Sequence, residues 1–246
     1  MRPRIAIPIP HSGDPEYAGR ALPQYVRAVE LAGGEAVPIP LSGAAQDLEG
    51  LIEHCDAVLL PGSRADVLPE KYGARRDSKT AEADLVRDAV DVVLLEDAYK
   101  HRKPILGICY GLQILNVYRA GSLLQYIESP VNHEAGRKVA IAHDIVVEPN
   151  SLLARIVKEG HGDPKRVPVN SSHHQSAEVM GEGLRISARC PDDGIIEGIE
   201  GTDPRHFVLA VQWHPERSVD EDAPSRAIFS ALVEAARVAQ QTSSAR

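Results

Sequence analysis

Cysteine is scarce in this chain. Cys55, Cys109 and Cys190 are the only three, an odd and scattered set that builds no disulfide framework. None pairs at C-x-x-C spacing, which excludes a zinc knuckle. Positive charge is also short: 27 Lys and Arg face 35 Asp and Glu, for a net charge of −8. No basic run exceeds Lys100-His101-Arg102-Lys103, so a nucleic-acid partner is not expected. No apolar run approaches the roughly 18 residues of a membrane span. The start, Met1 to Pro10, is short in apolar residues and broken by prolines, so neither a signal peptide nor an anchor is expected there. These absences predict a reducing, cytoplasmic setting and no membrane. Internal repeats, low-complexity blocks and linkers are missing too. The expectation is one domain over 1–246, with 240–246 as a small, polar, frayed tail.

What is present suits a large core. Hydrophobic residues make up 43% of the 246, and a chain of this mass can bury ~72% of its unfolded surface. Apolar runs at Ile5–Ile9, Ala36–Pro40, Asp56–Leu60 and Pro104–Ile108 alternate with helical spacing over Tyr17–Leu31, Leu48–Glu53, about Ala81–His101 and Gly111–Arg119. A polar loop is expected from Ser63 to about Ser78. Strands alternating with helices predict an α/β fold, doubly wound, with helices on both faces of a mostly parallel sheet. The second half reads as β-rich, with strands at Lys138–Val147, Leu184–Arg189, Gly194–Ile199 and Phe207–Gln212, closed by a helix over Ala223–Val238. Ligands of such sheets bind beyond the carboxyl ends of the strands, where Pro10-His11, Pro61-Gly62 and Cys109 fall.

The strongest local signal is Gly107-Ile108-Cys109-Tyr110-Gly111. A buried strand runs into G-x-C-x-G and a helix follows, the pattern of a nucleophile elbow with Cys as the nucleophile. The bend predicts a strained, exposed sulfur at a helix N-terminus, whose dipole and free N–H groups favour thiolate. The Tyr110 N–H is placed to bind an oxyanion. The plainer alternative is a small buried Cys in a Gly-rich turn, as Cys55 and Cys190 are expected to be in their own settings. A second signal is Val208-Leu209-Ala210-Val211-Gln212-Trp213-His214-Pro215-Glu216. An apolar strand delivers His214 to its end as a candidate base, and Pro215 favours an extended backbone before it. Two residues on, Glu216 would share the face of His214 and hold its tautomer; a surface His and Glu after an edge strand is the alternative. At Pro61-Gly62-Ser63, backbone N–H groups either complete an oxyanion hole or form a plain turn. The polar segment Asn170-Ser171-Ser172-His173-His174-Gln175 reads as a solvated loop. A metal site is the alternative in principle, but no second cluster with liganding spacing lies near it in sequence, so none is expected, and His133 and His143 read as separate, hydrogen-bonded structural histidines.

These motifs resemble the class I glutamine amidotransferase superfamily. Leu60-Pro61-Gly62-Ser63 before Asp66-Val67, Pro69 and Tyr72-Gly73, together with Arg87-Asp88, Leu115-Asn116-Val117, and Asn170-Ser171 before His173 and Gln175, resemble its γ-glutamyl-γ-aminobutyrate hydrolase branch, peptidase family C26. The resemblance runs from Ile5 to about Val233. It implies a flavodoxin-like sheet and a triad of Cys109, His214 and Glu216. It implies an oxyanion hole at Gly62-Ser63 and Tyr110, and a γ-glutamyl pocket lined by Gln113, Ser171, His173 and Gln175. It further implies hydrolysis of a γ-glutamyl amide through a thioester, without cofactor, on a small-molecule substrate. Tyr110 stands where the family usually has Arg, and Asp91 where Glu is usual. Two other roles stay open: a glutaminase subunit feeding ammonia to a separate synthetase, and a catalytically silent binding protein. A homodimer also stays open.

Overall fold

The computed structural model describes the backbone of residues 1–42, 45–161 and 166–244. Its elements in chain order are β1 (Arg4–Pro8), α1 (Pro15–Leu31), β2 (Glu35–Ile39), α2 (Ala45–Glu53), β3 (Ala57–Leu60), α3 (Leu85–His101), β4 (Ile105–Ile108) and α4 (Tyr110–Tyr118). There follow β5 (Leu123–Leu124), β6 (His143–Val147), α5 (Leu152–His161), β7 (Val167–Val169), β8 (Ser176–Ala177), β9 (Leu184–Arg189), β10 (Ile196–Gly201), β11 (Val208–Val211) and α6 (Ala223–Ser244). Among the described residues no helix is long and apolar enough to cross a membrane.

One nine-stranded sheet carries the fold, in the order β2-β1-β3-β4-β11-β10-β9-β6-β7. The first five strands pair parallel, in the strand order of a flavodoxin-like sheet. From β11 outward every pairing is antiparallel. The class is α/β as expected. The sheet is parallel in one half and antiparallel in the other, because β10, β9, β6 and β7 come from the β-rich second half of the chain.

Side chains alternate across the central strands with period two. Ala57, Leu59, Leu106, Ile108, Leu209 and Val211 pack against α1, α5 and α6 on one face. Val58, Leu60, Ile105, Val208 and Ala210 pack against α2, α3 and α4 on the other. Strands covered on both faces must be apolar throughout, as these are.

Several boundaries differ from the sequence expectation. Helix α3 starts at Leu85 rather than Ala81, because the Asp84 carboxylate accepts from the Arg87 N–H and caps it there. The loop after β3 contains a 3-10 turn, Pro69–Tyr72. Strand β6 begins at His143 rather than Lys138, since its partner β7 pairs only with His143–Ile145. Helix α5 lies where no helix was expected. Helix α6 continues to Ser244 rather than ending at Val238; no Gly or Pro lies between Val238 and Ser244, and the Gln240 amide donates to the Asp56 carboxylate. Of the tail expected to fray, residues 245–246 lie outside the described ones.

Candidate active site

Cys109 sits where β4 turns into α4, with φ +54° and ψ −106°. This backbone region is strained for any residue with a Cβ. The strain is held by three hydrogen bonds: Cys109 N–H donates to Val211 O (2.8 Å), and its carbonyl accepts from the N–H groups of Leu112 (3.0 Å) and Gln113 (3.3 Å). Gly111 is required by close approach, since a Cβ there would stand 2.1 Å from Leu60 O. The elbow is therefore present, but the sulfur is not exposed: Cys109 is only 6% accessible.

His214 follows the neighbouring strand β11, which runs parallel to β4 with Val211 opposite Ile108. Asn170 fixes the His214 backbone. Its Nδ2 donates to His214 O (2.9 Å) and its Oδ1 accepts from His214 N–H (3.0 Å). Glu216 Oε1 lies 2.7 Å from His214 Nδ1, and both side chains are buried. The pairing matches the expectation, but its route does not. Residues Pro215–Arg217 form a 3-10 turn, so a turn rather than an extended strand brings Glu216 back to the ring. Gly62, just past the end of β3, lies between the two chemical groups. A Cβ added there would be 3.0 Å from His214 Cε1 and 3.6 Å from Cys109 Cβ.

Burial pushes the Cys109 thiol up to about 12; the nearby Arg217 charge pulls it down, while Glu216 adds to the rise. The adjacent Tyr110 N–H also favours thiolate. Burial thus opposes the preference for thiolate that the helix N-terminus gives. Burial likewise lowers the pKa of His214, against the pull of Glu216. Burial alone would raise Glu216, but His214 and Arg217 outweigh it and hold the carboxyl below its ordinary value. Burial thus favours the neutral forms of Cys109 and His214, while its neighbours favour the charged form of Glu216.

The other expected site residues divide. The Gly62 N–H is occupied, donating to the Tyr25 hydroxyl oxygen (3.0 Å). Ser63 Oγ accepts from the Ala65 N–H. Gln113 is buried and donates to Gln175 O (3.3 Å), while the Gln175 amide donates to Gln125 O (3.1 Å). Ser171 and His173 are turned to other partners: the Ser171 hydroxyl donates to His133 O, and the His173 ring turns inward toward Glu197. The 170–175 segment is largely buried rather than solvated, because it threads between the His214 backbone and β10. Cys55 and Cys190 are buried, as packing residues should be.

Tyr110 is fully buried, with the Arg87 guanidinium 5.3 Å from its ring centroid. Arg87 pairs with Asp91 through Nε (2.8 Å) and donates to Pro10 O (2.9 Å) and Pro61 O (3.0 Å). It thereby ties together the chain ends that follow β1 and β3. Sequence inspection missed three neighbours of the site. Tyr25 arrives from α1. Arg217 donates to Ser172 Oγ (2.8 Å) and has its Nε 3.6 Å from Glu216 Oε1. Arg137 feels the charges of Arg217 and Glu216. Only Arg217 had a local signal, its place directly after His-Pro-Glu.

The fold and this site define an α/β protein with a buried cysteine on a strand-to-helix bend, beside a carboxylate-held histidine from the next strand. The chain belongs to the peptidase C26 family, whose match covers residues 10–216. It is 34% identical over 223 residues to the γ-glutamyl-γ-aminobutyrate hydrolase PuuD of Escherichia coli K12, spanning 86% of this chain and 84% of that one. It is 32% identical over 216 residues to protein NtpR of Enterococcus hirae, spanning 85% and 87%. A solved structure from Thermoplasma acidophilum, assigned to GMP synthase, shares the fold with a TM-score of 0.66 at 15% identity, over 99% of this chain and 98% of that one.

Proposed function

We propose that this chain is a cysteine-dependent hydrolase of γ-glutamyl amide bonds. The carrying observation is the convergence on Gly62 of the Cys109 side chain and an imidazole whose far nitrogen lies 2.7 Å from Glu216. The likeness to γ-glutamyl-γ-aminobutyrate hydrolase supports the substrate class.

In this reading Cys109 rests as a thiol. His214 Nε2 takes the thiol proton as Sγ bonds to the γ-carbonyl carbon, and Glu216 stabilises the imidazolium that forms. The carbonyl π electrons move onto oxygen, and the Tyr110 N–H, next to the nucleophile in the chain, is a donor to that oxyanion. Collapse expels the amine, which takes its proton from His214, and leaves a γ-glutamyl thioester. Water then gives a proton to His214 and attacks the thioester; glutamate leaves and Cys109 recovers its proton. Arg217 and Arg137 offer positive charge for an acidic substrate, a role that Tyr110 cannot fill.

The test is turnover of γ-glutamyl-GABA, γ-glutamyl-putrescine and glutamine by purified protein, with Cys109→Ala as the blank. Release of glutamate from one of the first two, absent in the blank, supports the proposal. Glutamine hydrolysis alone, and only with a synthetase added, would favour an amidotransferase subunit. No turnover of any substrate would point to a silent binding protein.

A further inference from the structure

The fold gathers four residues that lie far apart in sequence. His133 comes from the segment before β6, His143 opens β6, His173 follows β7, and Glu197 lies in β10. All four are buried, Glu197 completely. Glu197 Oε1 is 3.1 Å from His133 Nδ1, 3.5 Å from His143 Nε2 and 3.4 Å from His173 Nε2. The four ligand atoms all lie within 4.8 Å of one another.

Each ring's other nitrogen faces a hydrogen-bond acceptor. His133 Nε2 meets the Asp193 carboxylate (2.8 Å), His143 Nδ1 meets Asp144 O (3.2 Å), and His173 Nδ1 meets Gln175 O (3.0 Å). An acceptor there places the proton on the outer nitrogen. The inner nitrogens then hold lone pairs aimed at a carboxylate oxygen, an arrangement that repels itself unless a cation sits among them. Outer N–H groups held by carboxylate or carbonyl are the usual support of metal-bound imidazoles. The three edges that meet at Glu197 Oε1, 3.1, 3.5 and 3.4 Å, agree with a tetrahedron whose bonds of about 2.0–2.1 Å give edges of about 3.3–3.4 Å. None of the inner nitrogens, nor either Glu197 oxygen, has a hydrogen-bond partner among the described residues.

We propose that His133, His143, His173 and Glu197 form a closed site for one divalent transition-metal ion of the zinc type. Three imidazoles and a carboxylate suit such an ion, and four protein ligands make the site structural rather than catalytic. The ion ties β6 and β10 to the 170–175 segment, whose Asn170 grips the His214 backbone. This departs from the expectation of no metal, which rested on the lack of liganding spacing in sequence.

The test uses the full chain, stripped by a strong chelator and dialysed, then titrated with Co(II) alone and separately with Zn(II) alone. Expected are uptake of one ion per chain, the intense visible bands of tetrahedral Co(II), displacement of Co(II) by Zn(II), and a rise in Tm with either ion. Glu197→Gln and His143→Gln should each abolish stoichiometric uptake. If these variants do not fold, X-ray absorption at the zinc edge of the wild-type protein counts the imidazole ligands, and three are expected. Three results overturn the proposal: no uptake by the folded, stripped chain, uptake unchanged in both variants, or a zinc edge without three imidazoles. None of these readouts depends on hydrolysis, so the metal site and the proposed activity can fail separately.

Discussion

Asn170 holds His214 by both faces of its backbone, accepting from its N–H and donating to its C=O. Asn170→Ala leaves a buried donor and a buried acceptor unpaired, each costing about 1–3 kcal/mol. The expected outcome is a lower midpoint in urea and a fall in kcat that exceeds any rise in KM. Asn170→Asp keeps the acceptor but sets a second carboxylate oxygen against His214 O, so it should rescue little. Wild-type kcat in either variant would show that the grip does not position the ring.

The buried thiol makes a distinct prediction for pH. With Cys109 raised to about 12 and His214 lowered, both are neutral at pH 7. A thiol pKa above its ordinary value reduces thiolate at every pH below it. Alkylation by iodoacetamide should therefore keep rising with pH through the neutral range. A flat rate persisting below pH 6 would instead reveal a thiolate–imidazolium pair.

Glu216 is the only hydrogen-bond partner found for the His214 ring among the described residues. Glu216→Gln preserves shape but can offer Nδ1 an N–H, which favours the wrong tautomer. In a serine protease the equivalent carboxylate-to-amide change lowers kcat by about 10⁴-fold. A loss of at least about 10²-fold is expected here, measured as glutamate release on the best substrate, with little change in Tm.

Cys109 should also reverse an ordinary stability order. In regular structure Gly is less stable than Ala by roughly 0.5–1 kcal/mol. At φ +54° and ψ −106°, a Cβ is the source of about 1–3 kcal/mol of strain. Cys109→Gly should accordingly unfold at higher urea than Cys109→Ala. The opposite order would mean that the bend relaxes at little cost.

Arg87 and Asp91 form a fully buried pair. Asp91→Ala strands the guanidinium and should destabilise the fold by about 3–5 kcal/mol, whereas replacing both by Met and Leu should recover only part of that, because Pro10 O and Pro61 O lose the donor that Arg87 supplies. Urea unfolding of the single and double variants measures both quantities.

The parallel half of the fold was legible because its strands are continuous apolar runs stopped by Pro and Gly, with helices between them. Helix α5 was missed although its signals are present. Ser151 caps it, its Oγ accepting from the Ala154 N–H, and Leu153, Ile156 and Val157 lie on its buried face. The elbow and the His214–Glu216 pairing were readable from local motifs. The closeness of Cys109 to His214 was not, since it arises from β4 and β11 becoming neighbours across a hundred residues. Cys109 was expected to be exposed and is buried, and no local pattern reports burial at that depth. The cluster around Glu197 escaped for the same reason: its members share no spacing, only a destination.

One hydrogen bond has a mechanical consequence. The Cys109 N–H donates to Val211 O, in the middle of the sheet. Separating the bend from the strand that carries the imidazole would mean splitting the sheet at its centre. The amide proton of Cys109 should thus be among the slowest in the molecule to exchange with solvent.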